Sequence, residues 1–158
     1  MGNKICSLFG HRDFGRNESV KEMLKLEIVN AIKNYGVNTF YLGGKGMFDE
    51  FCAEIIKEVK SEYKIKSFLI LAYLNVKMDE FDKRKIEELY DGTIFPPIEK
   101  VPLKFAISKR NQWMVSQSSI CLFYLDYTWG GAYSTYKFAI SKWIAAVPLS
   151  SASEQAVM

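Results

Sequence analysis

The stretch Arg110-Asn111-Gln112-Trp113-Met114, followed by Ile120-Cys121-Leu122-Phe123-Tyr124 and then Trp129-Gly130-Gly131-Ala132, decides the fold. Its spacing predicts a helix, a buried strand, and a Gly-Gly turn that opens another helix. In an open α/β sheet such a turn falls at the carboxyl edge of the strands, where anionic ligands dock. Ala106, Arg110, Trp113, Met114 and Gln117 recur at i, i+4, i+7, i+8 and i+11, which puts Arg110 on the packed face of its helix. A charge there needs a partner, either an internal carboxylate or an anionic ligand.

The rest of the chain alternates in the same way. Lys4 to Phe9 is a short apolar run closed by Gly10-His11-Arg12, as expected of a first buried strand. Asn17 or Ser19 caps the next helix, and Glu22 completes a capping box in the second case. Leu24, Ile28, Ala31, Ile32 and Tyr35 repeat at helical spacing up to Gly36, a natural stop. Asn38 to Leu42 predicts a second strand closed by Gly43-Gly44-Lys45-Gly46. Phe48, Phe51, Cys52, Ile55, Ile56 and Val59 then predict an amphipathic helix. Ser67 to Leu74 is a third strand covered on both faces. Val76 to Tyr90 is charge-dense and predicts a solvated loop with a short helix, before a short strand at Thr93-Ile94-Phe95. In the last helix Tyr136, Ala139, Ile140 and Trp143 form the expected core stripe.

This alternation predicts an α/β class: a Rossmann-like three-layer α/β/α domain over residues 1–147 with a mostly parallel five-stranded sheet. Residues 148–158, small and polar, are expected to form a flexible tail. The loops at His11, Gly43, Tyr73, Pro96 and Trp129 then all emerge on one edge.

Bulk composition narrows the partners. Twenty-one basic against 18 acidic residues leave a net charge of only +3, and no basic block stands out. A nucleic-acid binder held by phosphate contacts needs clustered Lys and Arg, so no nucleic-acid partner is expected. Cys6, Cys52 and Cys121 are widely spaced in apolar runs, form no CxxC pair, and share the chain with a single histidine. Three reduced, buried thiols in a cytoplasmic protein follow, with no metal site and no cofactor. No run approaches the roughly 18 apolar residues of a membrane span, so no membrane partner is expected.

Three strand-end segments carry candidate chemistry. Gly43-Gly44-Lys45-Gly46 sits where a strand meets a helix, and its backbone N–H groups suit phosphate oxygens. It is neither a P-loop, since Gly follows Lys45, nor GxGxxG; the alternative is a tight turn needing positive φ. Asp49, in the first turn of the next helix, is a ribose-hydroxyl candidate. Gly10, His11 and Arg12 end the first strand at the same edge, with Arg12 offering a fork suited to phosphate. Trp129, Gly130, Gly131, Ala132 and Tyr133 form a second approach loop whose aromatics suit stacking on a base.

These pieces together resemble the SLOG superfamily, and most closely its YpsA/DUF1273-related branch. The matching stretches are Phe9-Gly10-His11-Arg12, Tyr41-Leu42-Gly43-Gly44-Lys45-Gly46-Met47-Phe48-Asp49, and Arg110 to Tyr136. The resemblance implies a Rossmann-like sheet and a nucleotide-derived ligand, ADP-ribose-like or a related signal in phage defence, sensed or sequestered at the sheet edge. Better-known relatives, the LOG-type phosphoribohydrolases, carry Arg-Lys-x-x-Met, a strand, and Pro-Gly-Gly-x-Gly-Thr-x-x-Glu. Arg110-Asn111-x-x-Met114 matches the first part, with Asn111 for Lys. In the second part Trp129 stands for Pro, and Tyr136 is expected in the place of the catalytic acid. A glycosidase needs a carboxylate there, so the binding half is expected to persist without the catalytic half. If the chain is nonetheless an N-glycosidase, Arg110, Glu50 and Asp126 are the candidate catalytic residues. The same resemblance allows a homodimer or a higher homo-oligomer.

Overall fold

The computed structural model describes residues 2–11, 14–44, 46–74 and 79–151. Strand β1 (Ile5–Gly10) leads into helix α1 (Glu18–Tyr35), β2 (Thr39–Leu42), α2 (Met47–Val59), β3 (Lys66–Ile70), α3 (Glu80–Leu89) and β4 (Gly92–Ile94). A 3-10 turn (Leu103–Phe105) then precedes α4 (Ala106–Gln117), β5 (Ile120–Tyr124), α5 (Gly131–Ser141) and β6 (Ala145–Leu149). Asn17 caps α1, its side chain accepting from the Val20 N–H, so the capping residue is the earlier of the two expected.

All strands pair in parallel, in the order β4-β3-β2-β1-β5-β6. Among the described residues the sheet has six strands, where five were expected. The missed strand is β6, which draws in Pro148 and Leu149 from the segment read as tail. It was hidden because α5 stops without a glycine. Trp143 takes the left-handed conformation (φ 60) that ends the helix, with Trp143 N–H donating to Ile140 O and Ile144 N–H to Ala139 O. Those are the two bonds of a Schellman cap, a position normally given to Gly. With no breaker in the sequence, the apolar run reads on as helix. The expected core stripe fails at the same place: Ala139 is buried, whereas Ile140 and Trp143 are exposed.

The pleat sends alternate residues to opposite faces. From β1 and β5, Cys6, Leu8, Ile120, Leu122 and Tyr124 join the core under α1 and α2. Ile5, Phe9, Cys121 and Phe123 join the core under α4 and α5. α3 contributes only partly buried residues such as Ile86 and Leu89. The third strand is shorter than expected, ending at Ile70 and leaving Leu71 to Leu74 beyond the ladder.

Strand order fixes where a ligand fits. The chain winds from β1 out to β4, then crosses back to β5 and β6, so the direction reverses between β1 and β5. Ligands of open α/β sheets bind in the crevice beyond the carboxyl ends at such a switch point.

Candidate functional site

A cavity of about 380 Å³ opens at the carboxyl ends of β1 and β5. Gly10, His11, Gly43, Asp49, Arg110, Asn111, Trp129, Gly130, Gly131 and Ala132 line it, together with Phe9, Ile107 and Tyr127. Most of the residues marked in the sequence therefore converge, from segments more than a hundred residues apart.

Arg110 is the floor, 5% exposed. Its Nη1 donates to the carbonyls of Gly43 (3.1 Å) and Ile70 (3.5 Å), and Nε and Nη2 both donate to Asn111 Oδ1. Carbonyls at the ends of β2 and β3 thus help to satisfy a buried guanidinium. The chain of contacts continues: Asn111 Nδ2 donates to Thr135 Oγ1 at 3.4 Å, and that hydroxyl donates to Gly131 O at 2.8 Å. Arg110 and Asn111 in this way tie the ends of two strands to the first turn of α5.

The opposite wall is a stack of rings. His11, also 5% exposed, lies 3.5 Å from Tyr127, centroid to centroid, and Tyr127 lies 4.1 Å from Trp129. The Tyr127 N–H donates to His11 Nε2 at 3.4 Å, fixing the loop after β5 against the end of β1. The outermost ring, Trp129, is 66% exposed. Beside it Gly130 opens α5 at φ 90, a conformation that side chains resist, and offers no side-chain cap. The start of α5 thus lines the cavity with no side-chain cap on its first turn.

Two further cavities continue along the same edge. One of about 310 Å³ shares Gly43 and Arg110 with the first and runs under α3. Another of about 330 Å³ shares Ile107, Asn111 and Gly131 and is bordered by Lys104 and Phe138. Three concavities with common walls therefore form one row across the sheet edge.

Some expected site residues lie elsewhere. Gly44 lines the cavity under α3, and Gly46 caps α2 without lining any of the three. Tyr133 packs toward Tyr136, with Lys137 over its ring, and does not line the main cavity. Arg12 and Lys45 fall outside the described residues. Asp126 accepts from the Ser151 N–H and hydroxyl, and Glu50 pairs with Arg16 and Lys85; neither lines the main cavity. Aligned on Gly130-Gly131, the acid of the LOG-type pattern falls on Lys137, one residue past Tyr136. Tyr136 itself packs edge-on against Phe123.

Tyr127 was not singled out as a binding residue because its role is a long-range stack that no local pattern announces. Ile107 was findable, standing three residues before Arg110 on the same helix face. Among the described residues no group of three His, Cys, Asp or Glu could hold a metal ion, and no helix is long and apolar enough to cross a membrane.

No protein-family model matches the chain, and no curated protein does. Among solved structures, DNA processing protein A from Streptococcus pneumoniae matches with a TM-score of 0.65 at 13% identity, over 92% of this chain and 50% of that one. The two share a Rossmann-like parallel α/β fold. DNA processing protein A from Helicobacter pylori, described for its single-stranded DNA binding mode, matches at 0.63 and 14% identity, over 92% of this chain and 64% of that one. The chain thus spans less than two thirds of either protein's length.

These neighbours correct two expectations. A small nucleotide-derived ligand was expected, with phosphoribohydrolase chemistry as the alternative, and nucleic acid was excluded; the structural neighbours instead handle DNA. The exclusion rested on a whole-chain charge balance. Such an average says nothing about a groove whose contacts are rings and backbone N–H groups.

Proposed function

We propose that the chain binds single-stranded DNA along the carboxyl edge of its sheet. The observation that carries this reading is the exposed Trp129 ring, backed by Tyr127 and His11, on the rim of the main cavity, which two further cavities adjoin. A single nucleotide needs one cavity, whereas a row with common walls suits a run of nucleotides. Sequence-tolerant binding of single strands joins aromatic platforms to a cationic track, and every base has a face to stack. Trp129 supplies the platform. Arg110, Lys104 and the uncapped start of α5 supply the attraction for phosphates. Glu50 and Asp126 both stand outside the main cavity, which favours binding over hydrolysis.

Two finer assignments accompany the proposal. We place the chain within the SLOG superfamily, near the YpsA/DUF1273 branch, on its Phe9–Arg12 and Tyr41–Asp49 segments. Three free, buried thiols fit a cytoplasmic setting.

The test is fluorescence anisotropy with a labelled single strand about 16 nucleotides long, alongside the matching duplex. The single strand is expected to bind more tightly than the duplex. Trp129→Ala should weaken it by about 1–3 kcal/mol, the usual worth of a base–aromatic stack, while leaving the fold intact. An affinity no better than roughly 10⁻⁴ M, in the nonspecific range, would sink the reading.

A further inference from the structure

The cavity under α3 is built for something other than phosphate. Leu69, Leu71, Ala72, Leu74, Ile86 and Leu89 give it apolar walls around about 310 Å³. Glu50, Asp82 and Lys85 also line it, and Lys85 is ion-paired with Glu50. A phosphate entering here would meet two carboxylates, with Lys85 already engaged by Glu50 and Arg110 by the Gly43 and Ile70 carbonyls and Asn111. A flat, uncharged ring with N–H groups at its edge would meet apolar walls and hydrogen-bond acceptors instead. The slot is continuous with the main cavity, because Gly43 and Arg110 belong to both.

We propose that this slot receives a nucleobase turned out of the bound single strand, and that it favours bases carrying an exocyclic amino group. The inference rests on the single-strand reading above. Cytosine and adenine bring an amino group that donates to a carboxylate, as Glu and Asp accept from cytosine N4 elsewhere. Thymine presents carbonyl oxygens and a methyl group at the corresponding edge, and its oxygens are repelled by Glu50 and Asp82. The Tyr90 hydroxyl, also lining the slot, stays protonated: burial first, then the charges of Asp49, Cys52 and Glu50, raise it above the ordinary tyrosine range.

The experiment compares equal-length dC, dA and dT strands on the wild type, Glu50→Gln and Ala72→Phe. Wild type is expected to bind dC and dA about tenfold more tightly than dT, the scale of one carboxylate–base contact. Glu50→Gln removes the charge while keeping the shape, and Ala72→Phe fills the slot. Both should erase most of that preference, Ala72→Phe with dT binding little changed and Glu50→Gln with dT binding strengthened as the repulsion of its oxygens is removed. Should Ala72→Phe fail to fold, Glu50→Gln on the partly exposed rim carries the comparison alone. Equal binding of all three strands by the wild type, or a preference that survives Glu50→Gln, overturns the slot and leaves the single-strand reading standing. If no strand binds, both fall together.

Discussion

At Gly43 a side chain would have nowhere to go. A Cβ there would lie 2.8 Å from Nη2 and 2.9 Å from Cζ of Arg110. Sequence alone reads a glycine at a strand end as room for a phosphate; the close approach found here is made by the protein's own guanidinium. Gly43→Ala must push Arg110 off the carbonyls of Gly43 and Ile70, and the expected cost is about 1–3 kcal/mol, as for other overpacked sites. Urea unfolding measures it, and an unchanged midpoint would show that the guanidinium moves aside freely. Single residues were legible wherever a general rule localises them. Gly10, His11 and Trp129 line the cavity because strand-end loops of a parallel sheet share one edge, whereas Asn111, on α4, was marked only through the family resemblance. The His11–Tyr127 stack spans 116 positions, and such a contact leaves no local trace. Tyr133 was misplaced for a related reason: its helix phase is readable, but which of two nearby surfaces it meets depends on packing.

Element boundaries were legible where glycine or proline marks them and obscure where a bulky residue does the same work. α1 ends at Gly36, as expected, whereas α5 ends at Trp143 and conceals β6. Trp143 is 95% exposed, so its ring gains little from burial while its backbone sits where L-residues are disfavoured. Trp143→Asn should therefore raise stability by a few tenths to about 1 kcal/mol, since Asn tolerates this conformation better. A lower melting temperature would instead reveal packing of the indole. β3 and β4 carry a second testable junction. Asp91 Oδ2 accepts from Lys60 Nζ at 2.7 Å and from the Ser67 N–H at 2.8 Å. Burial alone would raise its carboxyl, but those two bonds outweigh it and hold the pKa below the ordinary value. A depressed folded value contributes stability above the unfolded pKa of about 3.9, and that contribution is lost as pH falls through the folded value. Asp91→Asn should accordingly flatten the acid limb of the stability curve. The side chain is 39% exposed, so the effect should not exceed about 1 kcal/mol. Acid unfolding followed by circular dichroism decides it; an identical limb would remove Asp91 from the account.

For the molecule as a whole, layer architecture was readable because strand–helix alternation admits few topologies. Partner class was not, because net charge averages over a surface on which Arg16, Lys21, Lys25, Lys60, Lys83 and Lys85 already sit in ion pairs. That pairing has its own consequence for binding. Each neutralised phosphate on a single strand contributes about −0.7 to the slope of log affinity against log salt, so three phosphates give about −2. Affinity measured across a salt series should fall gently. A slope several times steeper would assign the binding to a basic track instead of to rings.

The central strands also hold a clock. Cys6 on β1 and Cys121 on β5 flank the point where the sheet reverses direction, and both are fully buried. Burial pushes the Cys6 thiol well up, and pushes Cys121 up to about 12 despite opposing contacts from Ser118 and Ser7. Thiolate, the species that alkylating reagents attack, is therefore scarce at neutral pH and out of reach. Cys52, the third and last cysteine, is equally buried. The rate at which a maleimide consumes the native protein thus times the parting of its core. A cysteine introduced beside Trp129 would take a dye long before any of the three.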